Sequence, residues 1–169
     1  MRKSTWGFSV IELLIVVGII LVIAAIAIPD LLRSRVSANQ ASAVGSLHTI
    51  STAETNYATT YGTGYSPDLA SLDGPSGASS ATSAGLIDSI LGTGVKSAYT
   101  FAYAPTSISS TPPQYVSYIV TAQPTVGCGT GNGNCYFTDT TGVIRFNTSA
   151  AATSTDSPIG ASAVPTFWD

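Results

Sequence analysis

The chain has 169 residues, nine acidic and six basic, for a formal net charge of −3, and only 9% of its residues are charged. Length allows one domain with a modest core, and the mean hydropathy of +0.32 with so few charges is far from the roughly 25% charge of a soluble domain. The acidic balance excludes a broad basic face for phosphate backbones, so no direct nucleic-acid binding is expected.

The apolar excess is concentrated at the N-terminus. Met1-Arg-Lys-Ser-Thr-Trp-Gly7 precedes Phe8-Ser-Val-Ile-Glu12, and no charged or strongly polar residue occurs from Leu13 to Ile28. As a helix, Phe8–Ile28 would span about 30 Å, the thickness of a bilayer's hydrocarbon core. Three readings compete. A secretory signal peptide would use Arg2 and Lys3 as its basic end and Ala25-Ile26-Ala27 as its cleavage site, but the apolar run is too long and Glu12 interrupts its start. A plain membrane anchor leaves Glu12 unexplained, since an acid at the centre of a membrane helix costs about 2.5–3.5 kcal/mol on insertion scales, less near an end. The third is a leader cut between Gly7 and Phe8. A glycine before the scissile bond leaves the backbone accessible, and the cut creates a cation beside an apolar helix.

After Pro29, which lacks a helix donor and marks a kink, Val36, Gln40, Ala43, Val44, Leu47, Ile50, Ala53, Tyr57 and Tyr61 recur at three- and four-residue spacing. They form one amphipathic stripe, which Gly62 and Gly64 terminate. The spacing predicts one helix over 9–61, on the order of 80 Å long. His48 reads as a residue of its polar edge, and Glu54 as a solvated or helix-packing carboxylate. Residues 62–97 read as a loop with two short helices, Ser66–Leu72 with Pro67 in its first turn and Ala84–Leu91. The stretch from Asp73 to Ala84 is low in complexity.

Strands are predicted at Ala98–Ala104 (Tyr99, Phe101 and Tyr103 alternating with small residues), Tyr115–Ala122 (Val116, Tyr118 and Val120 on one face), Asn134–Thr138 and Val143–Asn147. Asp139-Thr140-Thr141-Gly142 forms a hairpin turn between the last two. The predicted class is α+β: a long N-terminal helix packed on an antiparallel sheet of about four strands, with the aromatic residues as the core between them. Arg145 reads as a surface or inter-subunit contact. The tail, 148–169, is expected to be irregular, with Phe167-Trp168 packing back on the domain. Asn147-Thr148-Ser149 fits a glycosylation sequon, a common chance match.

Chemistry-bearing residues are scarce. The one histidine has no companion for catalysis, and no enzymatic activity or cofactor is expected. Cys128 and Cys135 close a short glycine-rich loop by a disulfide if the domain is exported, and remain two thiols otherwise. As a metal site they would need two more ligands. Asp68, Asp73 and Asp88 are hard oxygen donors, but their spacing fits no calcium pattern.

The string Gly7-Phe8-Ser9-Val10-Ile11-Glu12-Leu13-Leu14-Ile15-Val16-Val17, continued by Ala24-Ala25-Ile26-Ala27-Ile28-Pro29, resembles the prepilin cleavage and methylation motif of type IV pilins and pseudopilins. Ser9 and Val10 replace the commoner Thr and Leu, and Gly18 stands in place of the glycine often found where this chain has Leu21. The resemblance implies a leader (1–7) removed after Gly7 by a prepilin peptidase and N-methylation of Phe8. It also implies a transmembrane and polymerisation helix (8–29), a head-packed helix half (30–61), a variable loop (62–97), a sheet (98–147) and a tail (148–169). Glu12 would pair with the Phe8 amine of a neighbouring subunit during assembly. Before assembly the chain would sit in the inner membrane with its C-terminus outside the cytoplasm. It would then join a homo-oligomeric extracellular pilus through inner-membrane assembly machinery or, as the alternative, a periplasmic pseudopilus of a type II secretion system. A disulfide-bonded loop near the C-terminus is a frequent pilin feature and favours the first.

Overall fold

A computed structural model describes residues 8–74, 80–110, 113–129 and 131–160. Helix α1 runs Val10–Tyr61, one residue shorter than expected at its start, followed by the short helices α2 (Leu69–Leu72) and α3 (Ser89–Gly92). Strands are β1 (Val95–Lys96), β2 (Tyr99–Ser110), β3 (Pro113–Pro124), β4 (Cys135–Asp139) and β5 (Arg145–Asn147). They form a single antiparallel sheet in sequence order, β1-β2-β3-β4-β5. The class is the predicted α+β, with five strands rather than about four. The chain divides into two compact units, Met1–Val36 and Ser37–Asp169.

In the second unit, the predicted stripe of α1 makes the core. Ala43, Leu47, Ile50, Ala53 and Tyr57 are buried against Tyr99, Phe101, Tyr118, Val120, Ala122 and Tyr136 of the sheet. Period 3.6 on the helix and period 2 on the strands place these side chains on facing surfaces. The helix ends at Gly62, whose φ of +66° gives the left-handed turn that lets its N–H donate to Ala58 O at 3.1 Å. Gly64 follows in a parallel bridge to Tyr115, and a Cβ on it would collide with the Tyr115 carbonyl.

The additional strand, β1, lies within the stretch expected to be a loop. Val95 pairs with Thr100 and Lys96 with Tyr99, closing a two-residue hairpin on Ser97 and Ala98. Both have positive φ, 51° and 60°, as a type I′ turn requires. Such turns normally carry Asn or Gly, so the sequence gives no warning, and β2 starts at Tyr99 rather than at Ala98. The Ser97 hydroxyl lies 2.8 Å from that of Ser42 on α1, which ties the turn to the helix.

The short helices begin later than predicted because aspartates cap them. Asp68 accepts from Ser71 N–H at 2.7 Å and Asp88 from Leu91 N–H at 3.0 Å, so Pro67 precedes the cap instead of occupying the first turn. Residues 84–87 do not open a helix. Their amides pair with α2, Ala84 N–H with Ser71 O at 2.9 Å and Leu86 N–H with Leu72 O at 2.8 Å.

Strand β4 is covered on both faces. Tyr136 points into the main core, while Cys135 and Phe137 form a second small cluster with Ala152. Asp156 holds the covering segment in place. It accepts from Thr153 N–H at 2.6 Å and from Asn147 Nδ2 at 3.0 Å, while Arg145 Nη1 donates to its backbone carbonyl at 2.9 Å. Asn147 and Arg145 are thus engaged within the fold. The described part of the tail, 148–160, is irregular apart from a bridge between Arg145 and Pro158. Its last residues, Phe167-Trp168-Asp169, lie outside the described residues.

Candidate functional site: an unpartnered apolar helix and its flanking groups

Apart from Glu12, residues 10–28 of α1 are branched aliphatics with scattered alanine and one glycine. Their large side chains, from Val10 through Ile28, are all exposed in the chain. This helix is long and apolar enough to cross a membrane. A continuous apolar surface of this extent on an isolated chain calls for lipid or for other protein.

Phe8 lies just before the helix and is 74% exposed. Ser9 supplies the first helical carbonyl, accepting from Leu13 N–H at 3.2 Å. Glu12 is the acid of the first turn, where the exposed N–H groups favour a negative charge. Its side chain is open to the surroundings. Phe8 and Glu12 are four residues apart, and Gly7, on the far side of the expected cut, lies outside the described residues. Helical assignment continues through Pro29 on both sides. Because proline has no N–H, the carbonyl of Ala25 loses its usual partner there.

The second unit holds a polar cluster at its centre. Glu54 is fully buried, which removes the solvated alternative for this residue and leaves the packing one. Ser66 N–H donates to Glu54 Oε2 at 2.9 Å and the Ser66 hydroxyl to Oε1 at 2.5 Å, while Tyr103 Oη donates to Ser66 O at 2.9 Å. Burial raises the Glu54 pKa above its ordinary value, and the Ser66 hydrogen bonds oppose the rise. Burial likewise raises the Tyr103 phenol, with the Glu54 charge adding to it. The sequence could not reveal this cluster, because Ser66 follows a glycine turn with no periodic signal around it.

Cys128 and Cys135 are joined by a disulfide, with their Cα atoms 5.5 Å apart. The loop they close folds on itself through the Gly129–Gly133 bridge. Asp68 and Asp88 are spent as helix caps, and Asp73 accepts from Gly74 N–H at 2.6 Å. Lys96 donates to Asp88 at 2.7 Å and, with the Leu91 amide, holds its carboxyl below the usual range. Among the described residues no three His, Cys, Asp or Glu side chains gather as a metal site. His48 is exposed on α1.

Comparison with known proteins yields no match: no family model, no curated protein and no solved structure matches this chain.

Proposed function

We propose that the chain is a structural subunit of a type IV pilus-like filament, processed between Gly7 and Phe8, N-methylated on Phe8 and polymerised through residues 8–29. One observation carries the reading: an exposed apolar segment of α1, residues 10–28, whose only acid, Glu12, stands in the first turn, four residues after the expected new N-terminus. In lipid such a surface is already solvated, so assembly draws on packing, close contact at small residues and polar pairing rather than on the hydrophobic effect. The amine of Phe8 on one subunit meets Glu12 of the next. Desolvation consumes much of that attraction, and what remains is register: a subunit docked out of step leaves a carboxylate unpaired in an apolar core. Repetition of one heterologous, non-closing contact produces a filament. Pro29 is the point at which the helix bends or loosens on assembly.

The α+β unit that follows the apolar segment supports the reading, and so does its disulfide, which suits an oxidising compartment. The test is mass spectrometry of the chain isolated from cells, combined with electron microscopy of surface filaments. An N-methyl-Phe8 start in filaments containing this chain is the expected result. An intact Met1, or a start after Ala27, rejects the proposal.

A further inference from the structure

Three charged residues, Asp30, Arg33 and Arg35, follow the apolar stretch of α1, and all three are exposed. Among the described residues the two arginines form no ion pair. The other arginine and lysine side chains described are engaged: Lys96 donates to Asp88 at 2.7 Å and Arg145 to the backbone carbonyl of Asp156 at 2.9 Å. Among the described residues, then, unpaired arginine is confined to one short band directly after the apolar surface. The band belongs to the same compact unit as that surface, Met1–Val36. Helix α1 is continuous through it. Counted from Ile28, the Cα atoms of Arg33 and Arg35 stand about 7.5 and 10.5 Å further along the axis. Helical side chains lean toward the N-terminus, so both long stems reach back toward the apolar end. The headgroup layer on each side of a bilayer is about 5–8 Å deep, which brings the guanidinium groups to the level of lipid phosphate. Leu31 and Leu32, 55% and 57% exposed, fill the boundary below them.

We propose that Arg33 and Arg35 bind the phosphates of anionic phospholipid in the leaflet at the C-terminal end of the apolar segment, as a collar that fixes how deep the chain sits before assembly. The proposal rests on the membrane-spanning part of the preceding reading. The two arginines are two residues apart, which puts them on opposite sides of the helix. A protein partner lying along one face would meet only one of them, whereas a bilayer surrounds the helix and meets both. Guanidinium takes a phosphate through two parallel hydrogen bonds, and an anionic lipid surface attracts basic residues within a Debye length of it. Asp30, one turn before Arg33, subtracts one charge, and the band keeps a net +1 (two arginines less one aspartate). Leaving the bilayer for a filament requires both arginines to exchange phosphate for other partners, so the collar also opposes premature extraction.

The full chain is reconstituted into phosphatidylcholine vesicles that contain a trace of acyl-spin-labelled phosphatidylglycerol or phosphatidylcholine. Electron paramagnetic resonance reads the fraction of each label slowed by contact with the protein. The anionic label is expected to be enriched several-fold over the zwitterionic one at low salt and to lose most of that enrichment in about 1 M salt. Arg33→Lys with Arg35→Lys should retain it, and Arg33→Gln with Arg35→Gln, at unchanged circular dichroism, should abolish it. Equal contact with both labels in the wild type overturns the collar and leaves the membrane helix standing. Enrichment that survives the double glutamine variant belongs to Arg2 and Lys3 and also overturns it. Absence of a slowed fraction for either label overturns the membrane helix itself.

Discussion

Glu54 and Ser66 are joined twice, the serine offering its backbone N–H to one carboxylate oxygen at 2.9 Å and its hydroxyl to the other at 2.5 Å. The pair fastens the last turns of α1 to the chain that leaves it, at a site with no solvent. Ser66→Ala would leave one buried carboxylate oxygen unpaired, at a cost of about 1–3 kcal/mol. Denaturant titration of the purified chain measures it, and an unchanged midpoint would show that the serine hydroxyl contributes nothing.

The same acid sets a pH dependence with a definite sign. Its folded-state pKa lies above the ordinary value of 4.5 because burial disfavours the charge. Its contribution is therefore fully present below the unfolded value and is lost as pH rises through the folded one. Glu54→Gln, which keeps an acceptor for the Ser66 amide and never ionises, should gain stability over the wild type as pH increases from 4.5 upward. Melting temperatures of both proteins at several pH values test this. A constant difference would mean that Glu54 does not titrate abnormally.

Removal of the disulfide by Cys128→Ser with Cys135→Ser is expected to cost about 2–3 kcal/mol, the loop-closure entropy of so short a ring. Cys135 is fully buried beside Phe137 and Ala152, so the loss should be accompanied by faster amide exchange in β4. Exchange confined to residues 128–134 would show that the bridge orders only its own loop.

Gly64→Ala is expected to destabilise the chain by about 1–3 kcal/mol. The backbone there has φ +85°, and the added methyl would meet the Tyr115 carbonyl. Thermal melts compared with Gly45→Ala, a helix position with open space around it, separate this strain from a general effect of losing glycine.

On the filament reading, Glu12→Ala subunits co-expressed with wild type should be under-represented in filaments by roughly tenfold or more, the ratio that about 1.4 kcal/mol represents. Quantitative mass spectrometry of sheared filaments gives the ratio. Equal incorporation would remove Glu12 from the assembly mechanism.

Much of this molecule was legible because its two periodicities are strong. The stripe from Ala43 to Tyr57 and the alternation of Tyr99 and Phe101, or Tyr118 and Val120, placed helix and sheet on facing surfaces. Val116 is the exception in its strand, being on the predicted inner face yet half exposed. What stayed hidden depended on tertiary context. The Ser97-Ala98 turn lacks the usual turn residues, β4 is covered on its second face only because residues 148–156 fold over it, and the Glu54 partner is twelve residues away across a turn. Phe8, Glu12 and Pro29 were read from a motif, and a single chain cannot display the contacts that motif implies.

One side of α1 beyond Gly45 is furnished with threonines whose hydroxyls fold back on the helix: Thr49 to Gly45 O, Thr52 to His48 O, Thr55 to Ser51 O and Thr59 to Thr55 O, at 2.9 to 3.1 Å. Among the described residues the one ion pair is Lys96 with Asp88. Charge pairing for dissolved electrolyte to screen is therefore sparse on this exterior. Whether its surroundings are fresh or briny, loss of ion pairing should take little from the folded unit's resistance to unfolding.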